Sequence, residues 1–482
     1  MNIIGRIYEQ DQIEQCAGSG KPEFLVVYGR RRVGKTFLIK EYFNNSFSFY
    51  ATGMLNEKTH DQLKAFNESL IEYGDTEKKI PKDWFEAFRR LRKILEGTNV
   101  NRDMVSGRRV VFLDELPWMD TARSDFKSAL DYFWNSWASS ESDILLIVCG
   151  SATSWIINNI FNDRGGLYNR ITRSIHLDPF DLSECEEFIN NNGIEMTRKQ
   201  IIECYMVFGG VPYYLNLLDR RLSLAQNIER LVINERGQLH YEYEHLFHSL
   251  FNNANNHIKI IEALSSRRSG MMRTELTKLS GVGDGAALTK AINELEQCGF
   301  IRKYKNYAKK KQGFFYQVID SFVLFSLYFL KDKDLDSWQS FLNSPGYYAW
   351  RGNSFEIVCL NHVYQIKSAL GIAGVDSTEY SWRSKDVLVA SQIDLMIDRN
   401  DGIINVCEMK YTNDEFEIDA EYEKQLLRKL DAFRKETSPK KALHITMVTA
   451  DGLKKNAHSH VVQNVIDGEA LFIKRSSGWR LQ

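Results

Sequence analysis

Gly34, Lys35 and Thr36 close the run GRRRVGKT (29–36), whose G-x-x-x-x-G-K-T spacing is that of a backbone cradle for phosphate. Upstream, EFLVVYG (23–29) is an apolar, β-branched stretch expected as a buried parallel strand; downstream, TFLIKEYF has helical spacing. In that context the N–H groups of Gly29, Arg30, Arg31, Arg32, Val33, Gly34, Lys35, Thr36 and Phe37 would curl around an anion at a helix N-terminus. Gly34 would let the backbone approach closely, Lys35 would reach the β- and γ-phosphates, and the Thr36 hydroxyl would ligate Mg²⁺. The three arginines either add charge near the phosphates or are solvated loop residues whose backbone alone matters.

A second motif supports the first. RRVVFLDELPWMD (108–120) reads as an apolar strand ending in Asp114–Glu115. An Asp at that place can hold Mg²⁺, and the adjacent Glu can orient and deprotonate a water. A third strand, DILLIVCGS (143–151), ends in Ser151, placed to sense a γ-phosphate from beside the Asp. GGLYNRITRSIHLDPF (165–180) brings Arg170 and Arg173 before another strand; Arg170 either completes the γ-phosphate site, in cis or from a neighbouring subunit, or is a helix-end cation. Strands alternating with helical stretches imply an α/β, doubly wound parallel sheet with its ligand at the strands' carboxyl ends.

Taken together, IIGRIYE (3–9), GRRRVGKT, LDELPWM and FGGVPYYL (208–215) resemble the prokaryotic P-loop ATPases of the AAA+/STAND type, the archaeal-type ATPase family. Their C-terminal part is usually a domain of unknown function similar to nucleases. The resemblance implies ATP and Mg²⁺ as cofactors, Gly5 and Arg6 near the adenine, and Pro212 touching the nucleotide from a lid.

Beyond the core (1–180), helical patterns over 181–255 suit a lid: LSECEEFINNN carries Ser183 and Glu186 at capping-box spacing, and TRKQIIECYMVFGG ends on a glycine pair. Residues 256–320 then follow the order of a winged helix-turn-helix, with a second helix from about Ala286 to Cys298 and a basic hairpin holding Arg302, Lys303, Lys305, Lys309, Lys310 and Lys311. Such a wing either tracks a nucleic-acid backbone or packs as an interdomain spacer.

In the last segment (321–482), RGNSFEIVCLNHVYQI (351–366) places Glu356 on a helix, and SQIDLMIDRNDGIINVCEMKYT (391–412) reads as a hairpin turning at Asn400–Gly402. Glu408 and Lys410 share a strand face, and Asp394 on the neighbouring strand can join them. Two carboxylates and a lysine on one face suit a Mg²⁺ site, although an E-x-K on a strand is also explained by a surface salt bridge. The order resembles the D…E-x-K pattern of the PD-(D/E)xK nucleases, which implies a restriction-endonuclease-like α/β domain with Glu356, Asp394 and Glu408 as metal ligands and Lys410 as a catalytic cation that stabilises charge or activates a water. QI stands before Asp394 where that pattern has a proline, and Lys424 or Gln425 would add a phosphate contact. His458 and His460 lack a third ligand nearby in sequence and are expected as a satisfied or exposed pair.

A chain of 482 residues with 43% hydrophobic and 26% charged residues is expected to form several globular domains. The formal net charge of −1 leaves nucleic-acid contact to local basic patches. Seven cysteines without a C-x-x-C pair are expected as reduced, buried thiols of a cytoplasmic protein, and no apolar run reaches the roughly 18 residues that cross a membrane. The sequence-based expectation is an ATP-hydrolysing P-loop protein that couples nucleotide state to a nuclease-like domain on DNA, alone, as a homo-oligomer or with a protein partner. The alternative is a nucleotide switch or scaffold whose C-terminal domain binds without cutting.

Overall fold

The computed structural model describes residues 3–151, 153–161, 168–251, 253–307, 313–332, 335, 337–384 and 391–475. Its contacts divide the chain into two compact units, Met1–Asp178 and Pro179–Arg475.

The first unit is built on five parallel strands: β1 (Glu23–Tyr28), β2 (Phe49–Thr52), β3 (Arg109–Asp114), β4 (Ile144–Gly150) and β5 (Arg173–His176). Their order is β2-β3-β4-β1-β5. Side chains alternate between two covered faces. Phe24 and Val26, Val111 and Leu113, and Leu146 and Val148 enter one apolar layer; Leu25 and Val27, Val110 and Phe112, and Ile147 and Cys149 enter the other. Burial on both faces explains why these strands read as continuous apolar runs. The second layer also takes Leu38 and Ile39 of the helix Lys35–Tyr42, so that helix lies over the face that Val110 and Phe112 share. The next residue of that parity is Asp114.

The second unit carries one eight-stranded sheet of order β13-β12-β11-β10-β9-β7-β8-β6. Its strands are β6 (Met271–Met272), β7 (Ile301–Asn306), β8 (Phe314–Val318), β9 (Ser377–Arg383), β10 (Gln392–Arg399), β11 (Ile403–Lys410), β12 (Ala442–Thr449) and β13 (Asn464–Ile466). β9, β10 and β11 form an antiparallel meander, with Gly402 at φ 92° in the turn expected at Asn400–Gly402. β12 lies parallel to β11, a pairing that requires a crossover, and the helix Ala420–Thr437 supplies it. The helices Asn255–Ser265, Arg273–Ser280 and Ala286–Gln297 precede the antiparallel pair β7–β8. Lys309, Lys310 and Lys311, expected at the tip of that hairpin, lie outside the described residues.

The segments expected beyond residue 180, namely 181–255, 256–320 and 321–482, fall within this second unit up to Arg475. β7 pairs parallel with β9 through Lys305↔Tyr380 and Asn306↔Ser381, which makes one sheet of the later two. A single apolar core takes Ile201, Tyr205 and Phe208 from the helix Arg198–Phe208 together with Phe355 and Val358 from the helix Pro345–Asn361 and Cys407 and Met409 from β11. A capping box of Thr197 and Gln200, not singled out in the sequence, starts the helix Arg198–Phe208, and the preceding helix starts earlier than Ser183 suggests. Asp181 keeps extended geometry and accepts from Glu184 N while the Glu184 carboxylate accepts from Asp181 N, which leaves Ser183 already helical. His362 interrupts the expected helix 351–366. Burial lowers its pKa to about 3, so the ring stays neutral and its Nε2 accepts the Leu182 N–H at 2.9 Å.

A polar knot ties these elements inside the core. Arg351 Nη1 donates to Glu203 Oε1 at 3.0 Å and Nη2 to Asn413 Oδ1 at 2.7 Å, and Tyr411 Oη donates to the same Glu203 oxygen at 3.0 Å. The guanidinium lies 4.7 and 4.9 Å from the rings of Tyr347 and Tyr411. Removing the arginine would strand Glu203 beside apolar rings. Arg351→Met is expected to destabilise the second unit by about 2–3 kcal/mol, below the full cost of a broken buried pair because Glu203 keeps partial solvent contact. Urea denaturation of the parent and the variant measures it; equal midpoints would contradict the assignment.

Candidate nucleotide and carboxylate sites

The site in the first unit follows from strand order. β4 lies between β1 and β3, with Gly150 level with Tyr28 and Val148 level with both Val26 and Leu113. The loop after β1, the acids after β3 and Ser151 after β4 therefore emerge at one edge of the sheet. Thr36 Oγ1 donates to Asp114 Oδ2 at 2.8 Å. Glu115 Oε2 accepts from Ser151 N at 3.1 Å and from Ser151 Oγ at 2.8 Å. Lys35 is buried, and its Nζ donates to the carbonyl oxygens of Gly29 and Arg30, each at 2.8 Å. The lysine spans the mouth of its own loop, where it can exchange two carbonyls for phosphate oxygens.

The backbone carries strain at this edge. Arg6, Arg32 and Glu115 have φ of 55°, 72° and 46°, a left-handed conformation that costs a non-glycine residue roughly 1–3 kcal/mol. At Gly29 a Cβ would collide with the Leu177 carbonyl, whereas at Gly34, φ 93°, it would meet nothing within 4 Å. The second case is open room above the helix N-terminus, which suits an anion. Arg30 is buried to 3% exposure, and Arg31 and Arg32 are half-buried, so none of the three is a fully solvated loop residue. Arg6 is also buried, and its Nη2 donates to the Val33 carbonyl at 3.2 Å, which fastens the segment Gly5–Arg6 to the loop. Phe37 points to solvent at 43% exposure.

Three residues stand elsewhere. Arg170 is exposed in a short turn just before β5 enters the sheet, two residues before Thr172, whose N–H bonds the Phe24 carbonyl. That is the edge opposite the loop, a strand's length from Lys35. Arg173 lies within β5 and is held by Gln12 and Gln15 at 2.6 and 2.9 Å. Pro212 belongs to the second unit, at the first position of the short helix Pro212–Leu215.

In the second unit the register of β10 and β11, carried one step past Leu395↔Cys407, sets Asp394 opposite Glu408. A register shift between Ile393 and Met396 in the pairing with β9 bulges β10 at Asp394, a device that re-aims a side chain. Lys410 Nζ is 3.3 Å from Glu408 Oε1, which also accepts from Tyr422 Oη at 2.9 Å, and Lys429 Nζ donates to Glu408 Oε2 at 2.6 Å. Gln392 donates to Asp394 Oδ1. Burial pushes the carboxyl of Glu356 up to about 8, with the charges of Asp394 and Glu408 adding to the effect. Burial also raises Asp394, whereas at Glu408 the attraction of Lys429 and Lys410 outweighs burial and lowers the pKa. The three acids thus share one electrostatic environment. Among the described residues no group of three or more His, Cys, Asp or Glu side chains is arranged to hold a metal ion.

Lys429 and Tyr422 are contacts that the sequence reading missed. Lys424 and Gln425, named there instead, are exposed. Helical spacing carried the signal: Tyr422, Leu426, Lys429 and Phe433 recur every three or four residues, on the stripe that buries Leu426 and Phe433. His458 and His460 gain an acidic neighbour, Glu423, at 2.6 and 3.6 Å. All seven cysteines are free and buried, and among the described residues no helix is long and apolar enough to cross a membrane.

A loop with this strand order and these strand-end acids defines the class of P-loop ATPase domains. Residues 4–218 match the family model described as an ATPase domain predominantly from Archaea. A curated relative, protein MJECL04 of Methanocaldococcus jannaschii, is 23% identical over 330 residues, or 67% of each chain. Among solved structures the chain is similar to the Walker-type ATPase PABY2304 of Pyrococcus abyssi, at 16% identity and TM-score 0.48 over 68% of this chain and 96% of that one. It is also similar to the ORC2 protein of Aeropyrum pernix, at 12% identity and TM-score 0.44 over 68% and 93% of the two chains. A third is Cdc6p of Pyrobaculum aerophilum, at 13% identity and TM-score 0.33 over 67% and 91%.

The Glu356 carboxyl binds its proton more tightly when folded than its ordinary value of 4.5. It therefore contributes stability in full below about 4.5 and loses it as pH rises towards about 8. Glu356→Gln should flatten that part of the stability profile of the metal-free protein and stabilise it most above pH 8. Thermal midpoints across this range test it; parallel profiles would contradict the buried-carboxyl account.

Proposed function

We propose that the first unit hydrolyses ATP and that the second cleaves a phosphodiester of DNA under the control of nucleotide state. The observation that carries the ATPase reading is the 2.8 Å contact of Thr36 Oγ1 with Asp114 beside the loop that Lys35 spans. In this reading the amides 29–37 hold the phosphates, Lys35 leaves its two carbonyls for the β- and γ-phosphates, and Gly5 and Arg6 border the base. Thr36 and Asp114 are the oxygen donors that fit Mg²⁺, which when bound would offset phosphate charge. Glu115 orients the attacking water and takes its proton while Ser151 holds the carboxylate. The P–O bond to the leaving ADP breaks as the water oxygen bonds phosphorus. Arg170, remote from the loop of its own chain, acts on a neighbouring copy in a homo-oligomer.

For the second unit, the ααβββαβ order from the helix bearing Glu356 to β12, its first two helices divided at His362, supports a PD-(D/E)xK nuclease-like domain. In this reading Asp394 and Glu408, aided by Glu356, would hold a divalent cation, which would supply charge stabilisation at the scissile phosphate. Lys410 lies close enough to share in activating water. The helices 255–297 with β7 and β8 support a winged helix that holds DNA.

One observation favours a second reading. Lys429 and Lys410 both engage Glu408, so the carboxylate is already neutralised by the protein. In that reading the chain is a nucleotide-dependent switch or scaffold whose C-terminal domain binds partners or DNA without cutting.

Lys35→Ala and Glu115→Gln are each expected to reduce ATP turnover by at least about 100-fold, and parental turnover in both would overturn the core assignment. Glu408→Ala should abolish Mg²⁺-dependent nicking of plasmid DNA and leave ATP turnover intact. A parent protein that never nicks in any nucleotide state decides for the scaffold.

A further inference from the structure

β7 belongs to the segment 256–320, yet it lies beside the carboxylate site. Arg302 Nη2 donates to the Asp394 carbonyl at 3.5 Å, its Nε donates to Gln317 Oε1 at 2.7 Å, and its guanidinium stacks 4.4 Å from the Tyr304 ring. Among the described residues no carboxylate forms an ion pair with it. Burial lowers its pKa, but a guanidinium stays charged, so the protein keeps a cation in a low-dielectric place with only neutral hydrogen-bond partners. The second arginine is Arg268, in the turn before β6. It is exposed, its charge acts on Glu356, and among the described residues it too has no ion pair.

One amide links the Arg302 side chain to the backbone at Arg268. Gln317 Oε1 accepts from Arg302 while its Nε2 donates to the Arg268 carbonyl at 2.6 Å. Tyr304 Oη donates to the Ser269 carbonyl at 2.6 Å, and Arg383 of β9 donates to Ser269 Oγ, so the turn is pinned to the sheet. Arg268, Arg302, Lys410 and Lys429 thus set four cations around the three acids Glu356, Asp394 and Glu408. With the Glu356 carboxyl protonated near neutral pH, the cations outnumber the charged carboxylates, which suits a phosphate that the carboxylates alone would repel. Lys303 and Lys305 are exposed on the face of β7 opposite Arg302, so on this face the basic character comes from Arg302 and Arg268.

We propose that Arg302 and Arg268 are the phosphate-binding edge of the carboxylate site, gripping the backbone of a nucleic-acid strand whose neighbouring phosphodiester lies at Asp394 and Glu408. Arg302, held by Gln317 and Tyr304, sets the position of the strand. Arg268, free to swing, adds charge. The segment 256–320 is then part of the site and not only a spacer. This rests on the nuclease-like reading for the fate of the phosphodiester, but not for the grip itself.

The test uses the full chain with Ca²⁺ in place of Mg²⁺, and reads fluorescence anisotropy of labelled single-stranded DNA, duplex DNA and RNA of one sequence. Arg302→Gln and Arg268→Ala are each expected to weaken binding about tenfold and to lower the salt dependence by about one counterion. Arg302→Lys should recover part of the loss, and ATP turnover and thermal midpoint should match the parent. Arg268 is exposed, so its variant reports even where Arg302→Gln fails to fold. Parental affinity in Arg268→Ala and in a folded Arg302 variant overturns the proposal, as does a parent that binds none of the three probes. The probe that shows the loss identifies the strand as DNA or RNA. A parent that binds through these arginines but never cuts with Mg²⁺ upholds the grip and refutes the nuclease reading; a parent that cuts, with variants that bind and cut equally well, refutes the grip alone.

Discussion

The placement of β4 between β1 and β3 is the constraint on which the first unit depends. Parallel neighbours are about 4.8 Å apart, so one intervening strand leaves roughly 10 Å between the loop after β1 and the acids after β3. A phosphate with its metal can occupy such a gap, and the residue that ends the middle strand faces it. Ser151 holds that position and Glu115 turns towards it, at the cost of a left-handed backbone. If β3 paired directly with β1, Thr36 could still reach Asp114, but no middle residue would meet Glu115.

The second unit solves a different problem. Its acids need a dry wall on one side and counter-charge on the other. The helix Ala420–Thr437 supplies both, because Leu426, Leu430 and Phe433 seal the face while Tyr422 and Lys429 reach Glu408 from the same stripe. The bulge at Asp394 brings its carboxylate into that environment. The pairing of β7 with β9 then extends the sheet beyond the meander and carries Arg302 to Asp394. Through Arg351 and Glu203, the helix that leads to Gly209 and Pro212 is anchored to the exit of β11, two residues beyond Met409.

What the sequence made legible was local. β1, β3 and β4 are buried on both faces and stand out as apolar runs; β2, FYAT, is four residues long between polar flanks and carries no such signal. The glycine spacing of the loop and the strand-end acids identified their own neighbours because strand order in an α/β sheet is strongly restricted. Long-range pairing left no local trace, so nothing near Lys305 announces Tyr380 and nothing near Arg302 announces Asp394. The distance of Arg170 from its own loop follows from the direction of β5, a property of the sheet and not of the residues around it. Lys429 was readable in principle from the helical stripe, since Lys424 and Gln425 fall on the solvent side of the same helix.

The central claim is that the loop of residues 29–36 captures a triphosphate against Asp114 and Glu115. Its most direct test is a crystal structure of the protein grown with Mg²⁺ and a non-hydrolysable ATP analogue. The account predicts phosphates within the loop, Lys35 Nζ withdrawn from the carbonyls of Gly29 and Arg30 onto phosphate oxygens, and a metal ion between Thr36 and Asp114. Nucleotide bound elsewhere, with Lys35 still on those two carbonyls, would contradict it.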